Sequence, residues 1–144
     1  MPSQSEKSAK RQFVVLHHEM PATSKRASHW DLMLEQDGVL TTWALDREPT
    51  PAETVTGIGC LALPDHRQDY LQYEGPISND RGHVTRWDRG DYLVQSQSED
   101  ELVVQLFGER LLGVFRLTRG EAATDTPATD ETKVWSFRAN KTSY

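Results

Sequence analysis

Apolar and polar positions alternate along most of the chain with a period near two, or gather in short β-branched apolar runs. Both patterns mark strands. They predict strands over 12–17, 29–35, 39–45, 57–63, 83–87, 91–95, 102–107, 111–117 and 133–138. Asp37-Gly38 follows the second of these, so 35–38 reads as a hairpin turn. Gly108-Glu109 suggests another hairpin, and the charged cluster at 98–101 a turn. The stretch Trp87-Asp88-Arg89-Gly90 reads as a turn with a structural tryptophan, Arg89 facing solvent or a phosphate. Helical periodicity is weak; 50–54 and 65–70 each have room for one short turn. Many short strands with glycine-marked turns indicate a mainly β antiparallel barrel or sandwich with one or two short helices. Residues 1–11 read as a disordered lead-in, 12–140 as a single domain, and 120–132, which lack any large apolar residue, as a mobile loop within it.

Composition narrows this picture. A chain of 144 residues with 36% hydrophobic positions forms one core, anchored by four Trp, four Tyr and four Phe. Cys60 is the single cysteine, which excludes a disulfide framework and a cysteine-rich zinc site. It lies in an apolar run and reads as a buried small hydrophobe. No apolar run reaches membrane-spanning length, and the first residues lack the apolar stretch of a secretory signal. The expected setting is therefore cytoplasmic and reducing, with no membrane partner. The net charge of −6 argues against coating nucleic acid by charge alone, though not against gripping one phosphate locally.

Candidate chemistry centres on histidine. His29 and Asp31 lie two apart in a predicted strand and so share one face. His18 closes a neighbouring strand, and the insertion 19–28 lets the two pair. Two imidazoles and a carboxylate suit Mn²⁺, Zn²⁺ or Fe²⁺. Spacing alone favours the plainer outcome, a hydrogen-bonded surface pair. His17, adjacent to His18, faces the other way and serves packing or the surface. His66 and Tyr70, four apart, either donate to one anion or form a polar surface turn in which Tyr70 caps the core. Lys25 and Arg26 in the insertion are either solvated or clamp a nucleic-acid backbone.

At these residues the chain resembles the 3′-phosphoesterase domain of bacterial DNA ligase D. The matching pieces occur in order: FVVLHH at 13–18, HWDLMLEQDGVL at 29–40, Trp43-Ala44, Asp65-His66 with Tyr70, Tyr73-Glu74-Gly75, Trp87-Asp88-Arg89-Gly90, and FGERL at 107–111 with Gly113 and Leu117. The resemblance spans 12–119, with a final strand at 133–138, and suggests a free-standing version of the domain. It implies a β-barrel and a metal-dependent phosphoesterase that trims 3′ ends of DNA or RNA primers. Such an enzyme removes a terminal 3′-ribonucleoside and then the 3′-phosphate in DNA repair. The implied metal ligands are His18, His29 and Asp31, and the implied metal is Mn²⁺, with Zn²⁺ or another transition metal as the alternative. His66 becomes the phosphate or acid–base group, with Tyr70 positioning the phosphate and Lys25 or Arg26 contacting it. Nucleic-acid 3′ ends are the implied partners, together with repair ligase or polymerase proteins.

The chain departs from the family pattern at two positions. The arginine of the family's His-Tyr-Asp-x-Arg motif aligns with Met33, on the same strand face as His29 and Asp31. A second family arginine falls at Ile58. Loss of a bidentate guanidinium is a large change at a phosphate site. Two other readings follow: a module that binds nucleic-acid ends without hydrolysing them, and a phosphoesterase acting on a small substrate.

Overall fold

The computed structural model describes residues 11–78, 81–120 and 134–140. The elements in chain order are β1 (Arg11–Glu19), β2 (His29–Gln36), β3 (Val39–Leu45), α1 (Pro51–Thr56), β4 (Ile58–Arg67), a 3-10 turn (Gln68–Leu71), β5 (Gly75–Pro76), β6 (His83–Gln97), β7 (Glu101–Gly108), β8 (Leu112–Arg119) and β9 (Val134–Ala139). All the ladders are antiparallel, in the order β1-β2-β3-β4-β9-β8-β7-β6, and β1 pairs again with β6. The sheet therefore closes into an eight-stranded barrel, with β5 added outside on β6. No helix among the described residues is long and apolar enough to cross a membrane.

Alternation sorts the side chains. Phe13, Val15, Leu32, Leu34, Leu45, Leu106 and Phe137 belong to one buried cluster drawn from strands all round the barrel, which is its interior. Their neighbours in sequence, Val14, Leu16 and Met33, form a second, smaller cluster with Leu40 and Val84 on the outer face. Tyr70, Leu71, Tyr73 and Ile77 pack over that outer cluster. The segment after β4 is thus a cover on one flank of the barrel.

Local chemistry explains the connections. Asp37 (φ 51°) and Gly38 (φ 86°) both take left-handed backbone between β2 and β3, as a tight hairpin requires. The Thr50 hydroxyl accepts from the Glu53 amide at 3.2 Å, and Pro51 opens α1, so a capping residue and a preset φ start the helix.

Three sequence expectations are corrected. Residues 87–90 are not a turn, and 83–87 and 91–95 are not separate strands: β6 runs through all of them. The Asp88 carboxylate caps no turn of its own. It accepts the amides of Glu109 (2.8 Å), Arg110 (3.2 Å) and Leu111 (2.7 Å) from the β7–β8 hairpin, and that of Arg89 (2.8 Å). Gly90 serves close approach, since a Cβ there would lie 2.1 Å from the Phe107 carbonyl oxygen. The 65–70 turn is also displaced: His66 and Arg67 still pair with Leu40 and Val39, and only Gln68–Leu71 turns. The expected lead-in and the 120–132 loop lie outside the described residues, apart from Arg11, which opens β1, and Gly120, which follows β8.

Candidate metal centre

The site lies on the outer face of β1 and β2. His18 and His29 are directly opposed in the ladder, and Asp31 follows two residues along on the same face. The Asp31 carboxylate reaches both imidazoles, with Oδ2 3.3 Å from His18 Nδ1 and Oδ1 3.2 Å from His29 Nε2. The ligand atoms of the three residues all lie within 4.8 Å of one another. Asp31 and His29 are buried, and the His18 side chain is 14% exposed.

Each imidazole is oriented by a backbone carbonyl. His18 Nε2 donates to Arg81 O at 2.6 Å, and His29 Nδ1 donates to Ala27 O at 3.0 Å. The remaining nitrogens, His18 Nδ1 and His29 Nε2, point at the carboxylate. Carbonyls that fix the tautomer of a ligating histidine are what a metal site requires. His29 Nε2 and Asp31 Oδ1 are buried with no hydrogen-bond partner among the described residues. Two unsatisfied acceptor-capable atoms side by side in a buried place are costly unless a cation joins them. The donor set therefore fits a divalent metal with open positions.

Electrostatics agree. Burial pushes the Asp31 carboxyl up, but the His18 and His29 imidazoles beside it outweigh that and hold the carboxyl at about 2. The hydrogen bond to Asp31 raises the His18 imidazole above its ordinary value against the opposing effect of burial. An ionised carboxylate between two imidazoles is thus the resting state at neutral pH.

The pocket over this cluster has a volume of about 340 Å³. Met33, Leu63, Ile77 and Val84 give it an apolar wall, and Arg26, His66, Tyr70 and Arg81 bring polar groups. His66 and Tyr70 are in edge contact with centroids 5.6 Å apart, and His66 Nδ1 donates to Pro64 O at 2.9 Å, leaving Nε2 for a ligand. Arg26 lines the pocket, whereas Lys25 is exposed and is not among its lining residues. His17 stacks on Trp30 at 4.5 Å, on the other face from His18. Met33 lines the pocket as its strand face requires. Ile58 does not: it is buried in the barrel interior. Arg81 was absent from the sequence expectations. Its carbonyl orients His18 and its side chain lines the pocket.

Residues 17–119 match the family described as the DNA ligase D 3′-phosphoesterase domain. The chain is 32% identical over 114 residues to the multifunctional non-homologous end joining DNA repair protein LigD of Mycobacterium tuberculosis. That match takes in 74% of this chain and 14% of the relative. It is 30% identical over 125 residues to the LigD protein of Mycolicibacterium smegmatis, covering 76% of this chain and 16% of that one. It is 32% identical over 99 residues to the LigD protein of Pseudomonas aeruginosa, covering 63% and 12%. The chain thus spans a small part of each of these relatives.

Proposed function

The chain belongs to the DNA ligase D 3′-phosphoesterase domain family, and on that premise we propose that it is a metal-dependent phosphoesterase acting on 3′ ends of DNA or RNA primers. It removes a 3′-phosphate or a terminal 3′-ribonucleoside and leaves a 3′-hydroxyl for repair. The observation that carries this reading is the His18–His29–Asp31 cluster, in which buried His29 Nε2 and Asp31 Oδ1 face each other without a hydrogen bond, opening into the pocket that His66 and Tyr70 share.

His18, His29 and Asp31 would hold the metal, Mn²⁺ in preference to Zn²⁺. When bound, such an ion polarises a phosphoryl group and lowers the pKa of a coordinated water. The protein's own residues do the rest. The Tyr70 hydroxyl donates to a phosphate oxygen and fixes the orientation of the phosphate. His66, anchored through Nδ1, presents Nε2 to stabilise the charged intermediate state or to protonate the leaving oxygen. Arg26 and Arg81 bring positive charge to the pocket, where the family pattern would use residue 33. The apolar wall limits water at the reacting phosphorus. The proposed setting is the bacterial cytoplasm, alongside repair ligase and polymerase proteins.

A second reading is a module that binds nucleic-acid ends without hydrolysing them. Met33 favours it, because a buried thioether cannot stabilise transition-state charge. One experiment decides between the two: processing of a labelled primer–template ending in a 3′-phosphate or a single 3′-ribonucleotide, with Mn²⁺, with EDTA, and with His29→Ala. Metal-dependent release that is absent from the variant is the expected result. Folded, metal-binding protein that binds the 3′-phosphorylated duplex but releases nothing would establish the end-binding module.

A further inference from the structure

The pocket over the metal-ligand cluster does not end at Tyr70. It adjoins a second hollow of about 410 Å³, and Tyr70, Ile77 and Arg81 line both. Arg67, Asp69, Tyr73 and Ser78 complete the polar and aromatic lining of this hollow. A stepped series of rings leads into it: Tyr70 meets His66 edge-on at 5.6 Å and Tyr73 edge-on at 5.8 Å.

The hollow has the character of a preset site. Arg81 is anchored by Nε to the Ser78 carbonyl (2.9 Å) and by Nη2 to the Ser78 hydroxyl (3.1 Å). Its remaining guanidinium donors are not used within that anchor. The Tyr73 hydroxyl donates to the Pro76 carbonyl, which holds the ring in place. Arg67, at the end of β4, makes no ion pair with any described residue although Asp69 shares the hollow. Two cationic groups and a run of aromatic rings line this hollow, with Arg67 and Tyr73 outside the reacting pocket and Arg81 and Tyr70 shared with it. Single strands are held by that combination, with guanidiniums on phosphates and rings against bases or sugars.

We propose that this hollow is a subsite for the nucleotide immediately 5′ of the terminal one, with Arg67 and Arg81 on its phosphodiester and Tyr73 against its sugar or base. The inference rests on the reading that the neighbouring pocket receives the terminal 3′-phosphate. The ligand is a nucleic-acid strand of at least two nucleotides, because a nucleoside 3′-monophosphate held at the metal cluster has no second phosphate to place there. The subsite would make the protein prefer polynucleotide ends to free mononucleotides, despite its net charge of −6.

The test uses the full chain, with Arg67→Gln and Arg67→Lys as variants. Binding of a fluorescent, 3′-phosphorylated single-stranded oligonucleotide is measured in EDTA over a range of salt concentrations, with nucleoside 3′-monophosphate as competitor. Turnover of both compounds is measured with Mn²⁺. Arg67→Gln is expected to lower the preference for the oligonucleotide by roughly ten-fold, the scale of one charge-assisted contact. It should also flatten the dependence of log affinity on log salt by about 0.7, one single-strand phosphate contact, and Arg67→Lys should restore that slope. An unchanged preference and slope in Arg67→Gln would overturn the subsite, as would a wild-type protein that binds both compounds equally. Turnover of both compounds without discrimination at Arg67 sinks the subsite and leaves the phosphoesterase reading intact. No turnover by the wild-type chain, with the salt-slope change present, does the reverse.

Discussion

His18 and His29 stand directly opposite each other across the β1–β2 ladder, their ring centroids 4.7 Å apart. One register pair thus supplies both imidazoles of the proposed metal site, and the carboxylate follows two residues on. Removing either ring should abolish binding of Mn²⁺ in calorimetry. His29→Gln and His18→Gln are expected to keep the far-ultraviolet dichroism of the wild type, since neither ring belongs to the barrel interior. Retained metal binding in both variants would remove this cluster from the account.

Met33 is buried to 1% exposure, yet it lines the pocket. In Met33→Arg a guanidinium must extend into that pocket, unpaired until an anion arrives. The free variant should melt below the wild type, and inorganic phosphate should raise its melting temperature more than it raises the wild type's. Equal phosphate responses would show that position 33 does not address the site.

Asp88 holds the β7–β8 hairpin against β6 through three of its amides. Asp88→Ala leaves those donors without their acceptor and opens space beside Gly108, where a Cβ would lie 2.3 Å from Asp88 Oδ2. Urea denaturation should show a loss of about 3 kcal/mol, the scale of losing hydrogen bonds to a charged acceptor. The proposed metal centre, built on β1 and β2, should keep its affinity in that variant under folding conditions.

Gly82 has φ +83°, and a Cβ on it would lie 1.9 Å from the Glu19 carbonyl oxygen. Gly82→Ala must therefore push the chain before β6 away from the end of β1. Stability should fall by on the order of 2 kcal/mol. Arg81 is the adjacent residue and its carbonyl orients His18, so Mn²⁺ affinity should fall with it. Loss of stability with unchanged metal affinity would show that the carbonyl contact is dispensable.

Tyr92 is fully buried in the barrel interior, and its hydroxyl donates to the Glu35 carbonyl at 2.7 Å. Burial pushes the phenol above its ordinary value. A raised folded-state value means that the neutral form is favoured on folding. The associated stability is whole below about pH 10, the unfolded phenol value, and is lost as pH rises through the higher folded value. An alkaline titration of tyrosinate absorbance should show a late-ionising component that Tyr92→Phe removes. An identical titration curve for the variant at high pH would refute it.

Most of the barrel was legible because strand alternation is a local signal. The period of two put His29, Asp31 and Met33 on one face before any pairing was known, and it separated His17 from His18. The turn expected at 87–90 failed for the opposite reason. Asp88 finds its acceptor role with amides more than twenty residues away, and nothing near it in sequence encodes that. Arg81 escaped notice because it orients His18 through a carbonyl that every residue has. Only the β1–β6 register, with Glu19 opposite His83, brings it beside the histidine. Ile58 was read only from the resemblance, and its side chain faces the barrel interior.

β1 is the strand at which the ring shuts, paired to β2 on one side and to β6 on the other. His18 sits on that seam, taking its carboxylate neighbour from β2 and its orienting carbonyl from the approach to β6. An open sheet would keep His29 and Asp31 together on one strand but leave His18 without its anchor. If the proposed site holds its metal, affinity for it would gauge whether the ring has shut. Any change that loosens the seam, however far from the pocket, would register first as a weaker grip on the ion.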